Sequence, residues 1–293
     1  MLIANPIYDE VFKYLMSDID IAKGVLSTIL DEDIVQLDFK AQENIHKGID
    51  RAFMVYHLDF IAKVRVKTGS YKNVLIELQK SNHAYDIMRF RRYVGEQYKK
   101  VDEITLENGS VSKEVLPIIT IYFLGFYISK TLPAVIKVDR RYIDVLGNGK
   151  ELDEQNDFIE RLSHNCYVIQ IPALNLQMRN RLEHVLSIFQ QEKFIDDTRR
   201  LKEYDYEADD QLMRTILRKL VKAAADKDLL RVMELEEMVE REYINAFGDM
   251  EKILIEKDIE LRQKNKALEE KNKALEEKEK YIKELLGKLE ESK

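Results

Sequence analysis

Three residues carry the chemistry that the sequence offers. In NVLIELQ (73–79), Val74, Ile76 and Leu78 fall on one face of a predicted strand, and Leu75, Glu77 and Gln79 fall on the other. Glu77 and Gln79 therefore share a face, spaced ~6.6 Å along the chain. Upstream, VYHLDFIAKVRV sets Asp59 among Leu58, Phe60 and Ile61. The turn residues TGSY between the two segments predict an antiparallel hairpin. Such a hairpin brings Asp59 and Glu77 together. Two carboxylates in an apolar sheet repel one another and lose hydration, and a cation relieves both costs. A few oxygen ligands with room for water describe Mg²⁺. That ion activates water as a nucleophile and neutralises a phosphodiester under attack.

The surrounding pattern supplies elements to hold these residues. Asn5 suits an N-cap and Pro6 a first helical position, so a helix is predicted through IYDEVFKYL to about Met16. A second helix is predicted from Asp18 to Leu30, with Ile21, Val25 and Ile29 at helical spacing. DIVQLDF, Phe53 to Val66 and NVLIELQ read as strands. Tyr85 to about Val101 reads as a helix, with Ile87, Phe90, Val94 and Val101 as its buried stripe and Arg89, Arg92, Glu96 and Lys99 on another face. LPIITIYFLGF, RYIDVL and CYVIQIP read as further strands. Helices are predicted near Asn156–Leu162 and Asn175–Gln190, and the chain reads as helical from Phe194 onward. The predicted class is α/β, a mixed sheet flanked by helices. It divides into a domain over 1–192, a helical region over 193–248 and a tail over 249–293.

Composition narrows the function classes. The 293 residues are 45% hydrophobic and 34% charged, which predicts a soluble chain with a sizeable core. A single cysteine, Cys166, excludes an internal disulfide framework. Acidic residues in MLIANPIYDEVFK do not suit a signal peptide, and the longest apolar run, Val115–Ile128, is too short to span a bilayer. The expected location is cytoplasmic, with no membrane partner. Net charge is −7 overall, yet residues 59–100 hold 10 basic against 4 acidic residues. An acidic whole argues against a general nucleic-acid coat, while the local basic stretch suits phosphate.

The ordered set DEVFK (Asp9, Phe12, Lys13), HLDF (Asp59), IELQK (Glu77, Gln79) and RRYVGEQY (Arg92, Tyr93) resembles the PD-(D/E)XK nuclease superfamily. Within it, the chain looks like the recombination-promoting nuclease/putative transposase branch over roughly residues 5–190. The resemblance implies a restriction-endonuclease-like core and Mg²⁺-dependent hydrolysis of DNA, linked to recombination or mobile elements. It implies Asp59 and Glu77 as metal ligands and Gln79 in the place where the superfamily usually has Lys. It further implies Asp9, with Glu10 as the nearby alternative, as an acid from the first helix, and Arg89, Arg92 and Tyr93 facing phosphate. Gln can orient a water but cannot take its proton. A retained fold acting as a DNA-binding or assembly module is the rival reading.

Plainer roles exist for each candidate. A lone strand Glu ordinarily guards an edge against aggregation, and an acid in a first helical turn ordinarily answers the helix dipole. Arg89, Arg91 and Arg92 read equally as a solvated face and Tyr93 as core. The five histidines show no metal-ligand spacing, although His57 shares the predicted strand face of Asp59. Cys166 reads as a small buried hydrophobe.

The tail contains the one true repeat. KNKALEE occurs at 264–270 and again at 271–277, and Leu254, Leu261, Leu268, Leu275, Ile282 and Leu289 fall seven apart. As d positions they predict a parallel coiled-coil dimer, with Asn265 and Asn272 meeting across it at a positions. Acids at other a positions weaken that seam. Full-length protein should therefore sediment as a dimer at tens of micromolar, and Asn265→Ile with Asn272→Ile should tighten association and admit higher oligomers. A monomer at that concentration would leave the tail a solvated single helix.

Overall fold

The computed structural model describes residues 1–39, 60–80, 86–106, 108–153, 156–175, 177–206, 208, 210–242, 257 and 264, with Asp86, Met88 and Arg89 by backbone alone. Two compact units divide the chain, Met1–Met233 and Glu234–Lys293. The described part of the second is helical and carries an Arg241–Glu237 ion pair of 3.6 Å, one helical turn apart. The heptad positions from Leu254 to Leu289 lie outside the described residues.

The first unit is α/β. Its order is β1 (Leu2–Ala4), α1 (Asp9–Met16), α2 (Ile19–Leu30), β2 (Ile34–Phe39), β3 (Phe60–Val66), β4 (Tyr71–Gln79) and α3 (Asp86–Tyr98). There follow β5 (Asp102–Thr105), β6 (Val111–Glu114), β7 (Ile118–Leu124), β8 (Val135–Val138), β9 (Tyr142–Asp144) and β10 (Lys150–Leu152). The unit continues with α4 (Asp157–Leu162), β11 (Asn165–Gln170), α5 (Arg181–Ser187), β12 (Leu201–Glu203) and α6 (Gln211–Ala225). Six strands form one mixed sheet in the order β2-β3-β4-β7-β11-β8. Within it β4, β7 and β11 run parallel, and the remaining neighbours pair antiparallel.

The hairpin predicted from TGSY is present. Gly69 takes φ 95°, a left-handed value that suits glycine, and the turn closes through Val66 N–H to Ser70 O at 3.0 Å. Alternation then gives the sheet two chemically different faces. Phe60, Ala62, Val64, Val74, Ile76, Ile121, Phe123 and Ile169 meet α1, α2, α5 and α6 in the large core. Ile61, Leu75 and Ile118 meet Phe90, Tyr93 and Val94 of α3 in a small one. Glu77 and Gln79 follow Leu75 at period two and so share the α3 face.

Several expectations are revised. Asn5 does not cap α1. It is fully buried beyond β1, and its amide donates to Gln191 Oε1 at 3.0 Å and Arg199 O at 2.9 Å, so the helix begins only at Asp9. The region after Phe194 is not wholly helical: β12 pairs antiparallel with β1, giving Leu2–Ala4 its ladder. Met213, Ile216, Leu217 and Leu220 of α6 join the large core, so the compact unit runs past residue 192. On α3 the buried stripe is Phe90, Tyr93, Val94 and Gln97. Ile87 is 56% exposed, and Val101 lies past the helix end, where Lys99 and Lys100 close the last turn. The helix expected from Asn175 starts at Arg181, because Glu183 turns back to accept the Gln177 and Arg179 N–H groups. Hydrogen bonds from Arg179 hold the Glu183 carboxyl at about 2. The helix predicted from Asp18 begins at Ile19, and Asp18 caps it, accepting from Asp20 and Ile21 N–H.

β12 also carries a buried lysine. Lys202 is 1% exposed, opposite Ile3, and donates to Gln190 O at 2.5 Å. Burial, only partly offset by Glu192, pushes its ammonium down from 10.5 to about 7. Between those two values the unfolded chain binds more protons than the folded one, so stability rises with pH across that window. Lys202→Met should therefore be more stable than wild type at about pH 6, with the gap shrinking toward about pH 9.5. Urea denaturation of both proteins at the two pH values measures the gap, and a constant gap would contradict the buried-ammonium account.

Candidate active site

Glu77 sits on β4, a central strand, and is 2% exposed. Its register neighbour on β7 is Tyr122, which in turn neighbours Val168 on β11. One step on, Gln79 neighbours Leu124, which neighbours Gln170. The three parallel strands thus end in one row, Gln79–Leu124–Gln170, on the face that α3 covers. Open parallel sheets bind ligands outside these carboxyl ends.

Polar groups gather on this face. Asn73 donates to Asp102 at 2.6 Å, and Thr120 is fully buried. The ring of Tyr122 lies against Phe90 at 4.2 Å. Burial pushes the Tyr122 phenol upward, Thr120 pulls it back, and Cys166 and Glu77 add to the rise. At the far end of α3, the Tyr98 hydroxyl meets His164 Nδ1 at 2.8 Å. Burial and the nearby Arg140 lower the His164 imidazolium. Cys166 is half-buried, and burial raises its thiol.

The sequence candidates fall in different layers. Asp59 and His57 lie outside the described residues; β3 begins at the next position, Phe60, opposite Ile76. Gln79 is half-buried at the end of β4, and its carbonyl accepts from Gly125 N–H at 2.7 Å. Asp9 begins α1, which packs on the other side of the sheet through Phe12 against Phe123 (5.7 Å). Its carboxylate pairs with Lys13 at 2.5 Å, and Glu10 lies 4.0 Å from the same ammonium. Lys80 points to that side as well, 4.0 Å over the ring of Tyr8. Arg92 is exposed on α3 beside Arg91, the side chain of Arg89 is outside the described set, and Tyr93 is buried in the small core.

Two site residues gave little signal in the sequence. Gln170 is fully buried and ends CYVIQ as Gln79 ends NVLIELQ, so a polar residue closing an apolar strand was the available clue. Gly125 matters by contact: a Cβ there would come within 2.3 Å of Lys80 O. A shallow cavity of about 410 Å³ lies at the opposite end of the hairpin, lined by Asp31, Glu32, Asp33 and Lys72. Lys72 is paired there with Glu32 at 2.6 Å.

Among the described residues, no three His, Cys, Asp or Glu side chains are grouped to hold a metal. The donors at the strand ends are nonetheless oxygens, a buried carboxylate and an amide, which is the chemistry Mg²⁺ prefers. No family model matches the chain, and neither a curated protein nor a solved structure matches it.

The close approach at Gly125 generates a test. Gly125→Ala should force the ends of β4 and β7 apart and cost about 1–3 kcal/mol, as overpacking against backbone does. Thermal unfolding compared with wild type measures it; an unchanged midpoint would mean that the two strand ends yield freely.

Proposed function

We propose that the chain is a Mg²⁺-dependent DNA endonuclease of the PD-(D/E)XK kind, on a restriction-endonuclease-like core, working as a dimer through a coiled-coil tail. The observation that carries this reading is Glu77: a carboxylate buried on a central strand, two residues before Gln79, near the carboxyl end of three parallel strands. The order of elements supports it, since the hairpin follows an N-terminal helix and precedes a helix bearing Arg91 and Arg92. Asp59 is the position next to Phe60, and Glu77 the position next to its partner Ile76.

In this reading Asp59 and Glu77 would hold the ion. Mg²⁺ supplies charge neutralisation at the phosphoryl group and a more acidic water. Gln79 would orient the attacking water by hydrogen bonding and leave its proton to solvent, because an amide is not a base at neutral pH. Water attacks phosphorus in line with the leaving oxygen, the P–O bond opposite breaks, and the leaving oxygen takes a proton from solvent. Arg92, with Arg89, steadies the flanking phosphates. Tyr93 supports α3 from the core.

A weakly active or inactive DNA-binding or assembly module is the second reading. Two observations favour it: Asp9 is paired with Lys13 on the other side of the sheet, and Gln79 stands where a lysine would serve. Plasmid cleavage separates the two. Wild type should cut with Mg²⁺ and not with EDTA. Asp59→Ala and Glu77→Ala should each abolish cutting while the fold, judged by circular dichroism, is kept. Gln79→Lys should retain or raise activity. Cutting by the Asp59→Ala, Glu77→Ala double variant at the wild-type rate would overturn the nuclease reading.

A further inference from the structure

The loop after β7 is built with unusual care for a surface segment. Gln170 spends its whole side-chain amide on it. Oε1 accepts from Ile128 N–H at 2.9 Å and Ser129 N–H at 3.3 Å, while Nε2 donates to Pro133 O at 3.0 Å and Leu132 O at 3.4 Å. The loop is tied at two more points: Tyr127 Oη donates to Pro172 O at 2.6 Å, and Gly125 N–H to Gln79 O at 2.7 Å. Inside it, Ser129 and Thr131 pair their hydroxyls at 2.8 Å.

What this framework displays is apolar and basic. Tyr127 is 42% exposed, Ile128 51% and Leu132 44%, and Lys130 stands exposed between them. A buried amide whose four bonds all go to one loop rigidifies that loop. Exposed apolar side chains grouped on one rigidly held loop form a surface that a partner can cover. Alternation of aromatic, aliphatic and cationic groups is what single-stranded nucleic acid meets on its binding platforms, where bases stack and the backbone is neutralised.

The position agrees. Gln170 belongs to the same row and the same face as Gln79, two strand spacings away, or roughly 10 Å. Resting on the nuclease reading for its substrate, we propose that the Tyr127–Leu132 loop grips unpaired nucleotides of DNA a few positions from the scissile phosphate. Tyr127 stacks on a base, Ile128 and Leu132 wedge against the next, and Lys130 meets the backbone. The enzyme then prefers single-stranded, frayed or branched DNA over a blunt duplex.

Fluorescence anisotropy with full-length protein in Ca²⁺ tests this without cleavage, using a labelled single-stranded oligonucleotide and the blunt duplex of the same sequence. Wild type should favour the single strand. Tyr127→Ala should weaken single-strand binding on the order of tenfold and duplex binding by less than about twofold. Tyr127→Ala with Leu132→Ser should weaken it further. Gln170→Leu should reproduce the loss if it folds, as circular dichroism will report; if it does not, the surface variants decide. Equal affinity of wild type for both DNAs, or wild-type affinity in the Tyr127→Ala, Leu132→Ser variant, overturns the proposal. Cleavage in Mg²⁺ is scored separately. Loop-dependent binding by a protein that never cuts overturns the nuclease reading alone. Cleavage with loop-independent binding overturns this one alone.

Discussion

Parallel pairing of β4 with β7 is the constraint from which the rest of the first unit follows. Parallel neighbours cannot be joined by a tight turn, so the chain must cross one face of the sheet to return. Here the crossing is α3 followed by the β5–β6 hairpin, and it lies over the face that carries Leu75, Glu77 and Gln79. The other face is left to α1, α2, α5 and α6, which fill it with side chains such as Phe12, Leu26, Val185 and Leu220. A second parallel step, β7 to β11, brings a third strand to the same end.

That division gives the two faces different chemistry. The multi-helix face is apolar and densely packed, with Phe12, Phe123 and Phe189 meeting ring to ring. It supplies stability. The α3 face has only a small apolar cluster, and around it Asn73, Thr120, Glu77 and Gln97 are buried. Buried polar groups cost stability unless each is satisfied, and a buried charge costs several kcal/mol more. On the α3 face Asn73 meets this demand through Asp102 at 2.6 Å, whereas Lys202, buried beside β1, meets it through Gln190 O.

The strand ends show the same economy of position. Gly125 lets the backbone leave β7 in contact with Lys80, and Gln170 fixes the loop that follows. Both act on the edge where Gln79 stands. Neither offers chemistry of its own. They set where the exposed side chains of the loop and the donors of β4 stand relative to one another, which is a matter of ångströms that a looser connection would forfeit.

Much of this was legible in the residues, because local physics decides it. Period-two alternation assigned Glu77 and Gln79 to one face, the turn residues TGSY closed the hairpin, and the helical spacing of Ile21, Val25 and Ile29 marked α2. Long-range partners were not legible. Nothing in LIA announces that it pairs with LKE some 200 residues on, and that pairing is what draws Asn5 away from capping α1. Ile87 and Phe90 look alike by period, yet only Phe90 finds a ring, Tyr122, beneath it. Gln170 was one residue inside the predicted strand CYVIQIP, and only the fold shows the loop that takes its four hydrogen bonds. Sequence alone determined which residues face the same way and which turns can form; the fold alone decided what each face meets, because burial and hydrogen-bond partners are properties of neighbours that the chain supplies from far away.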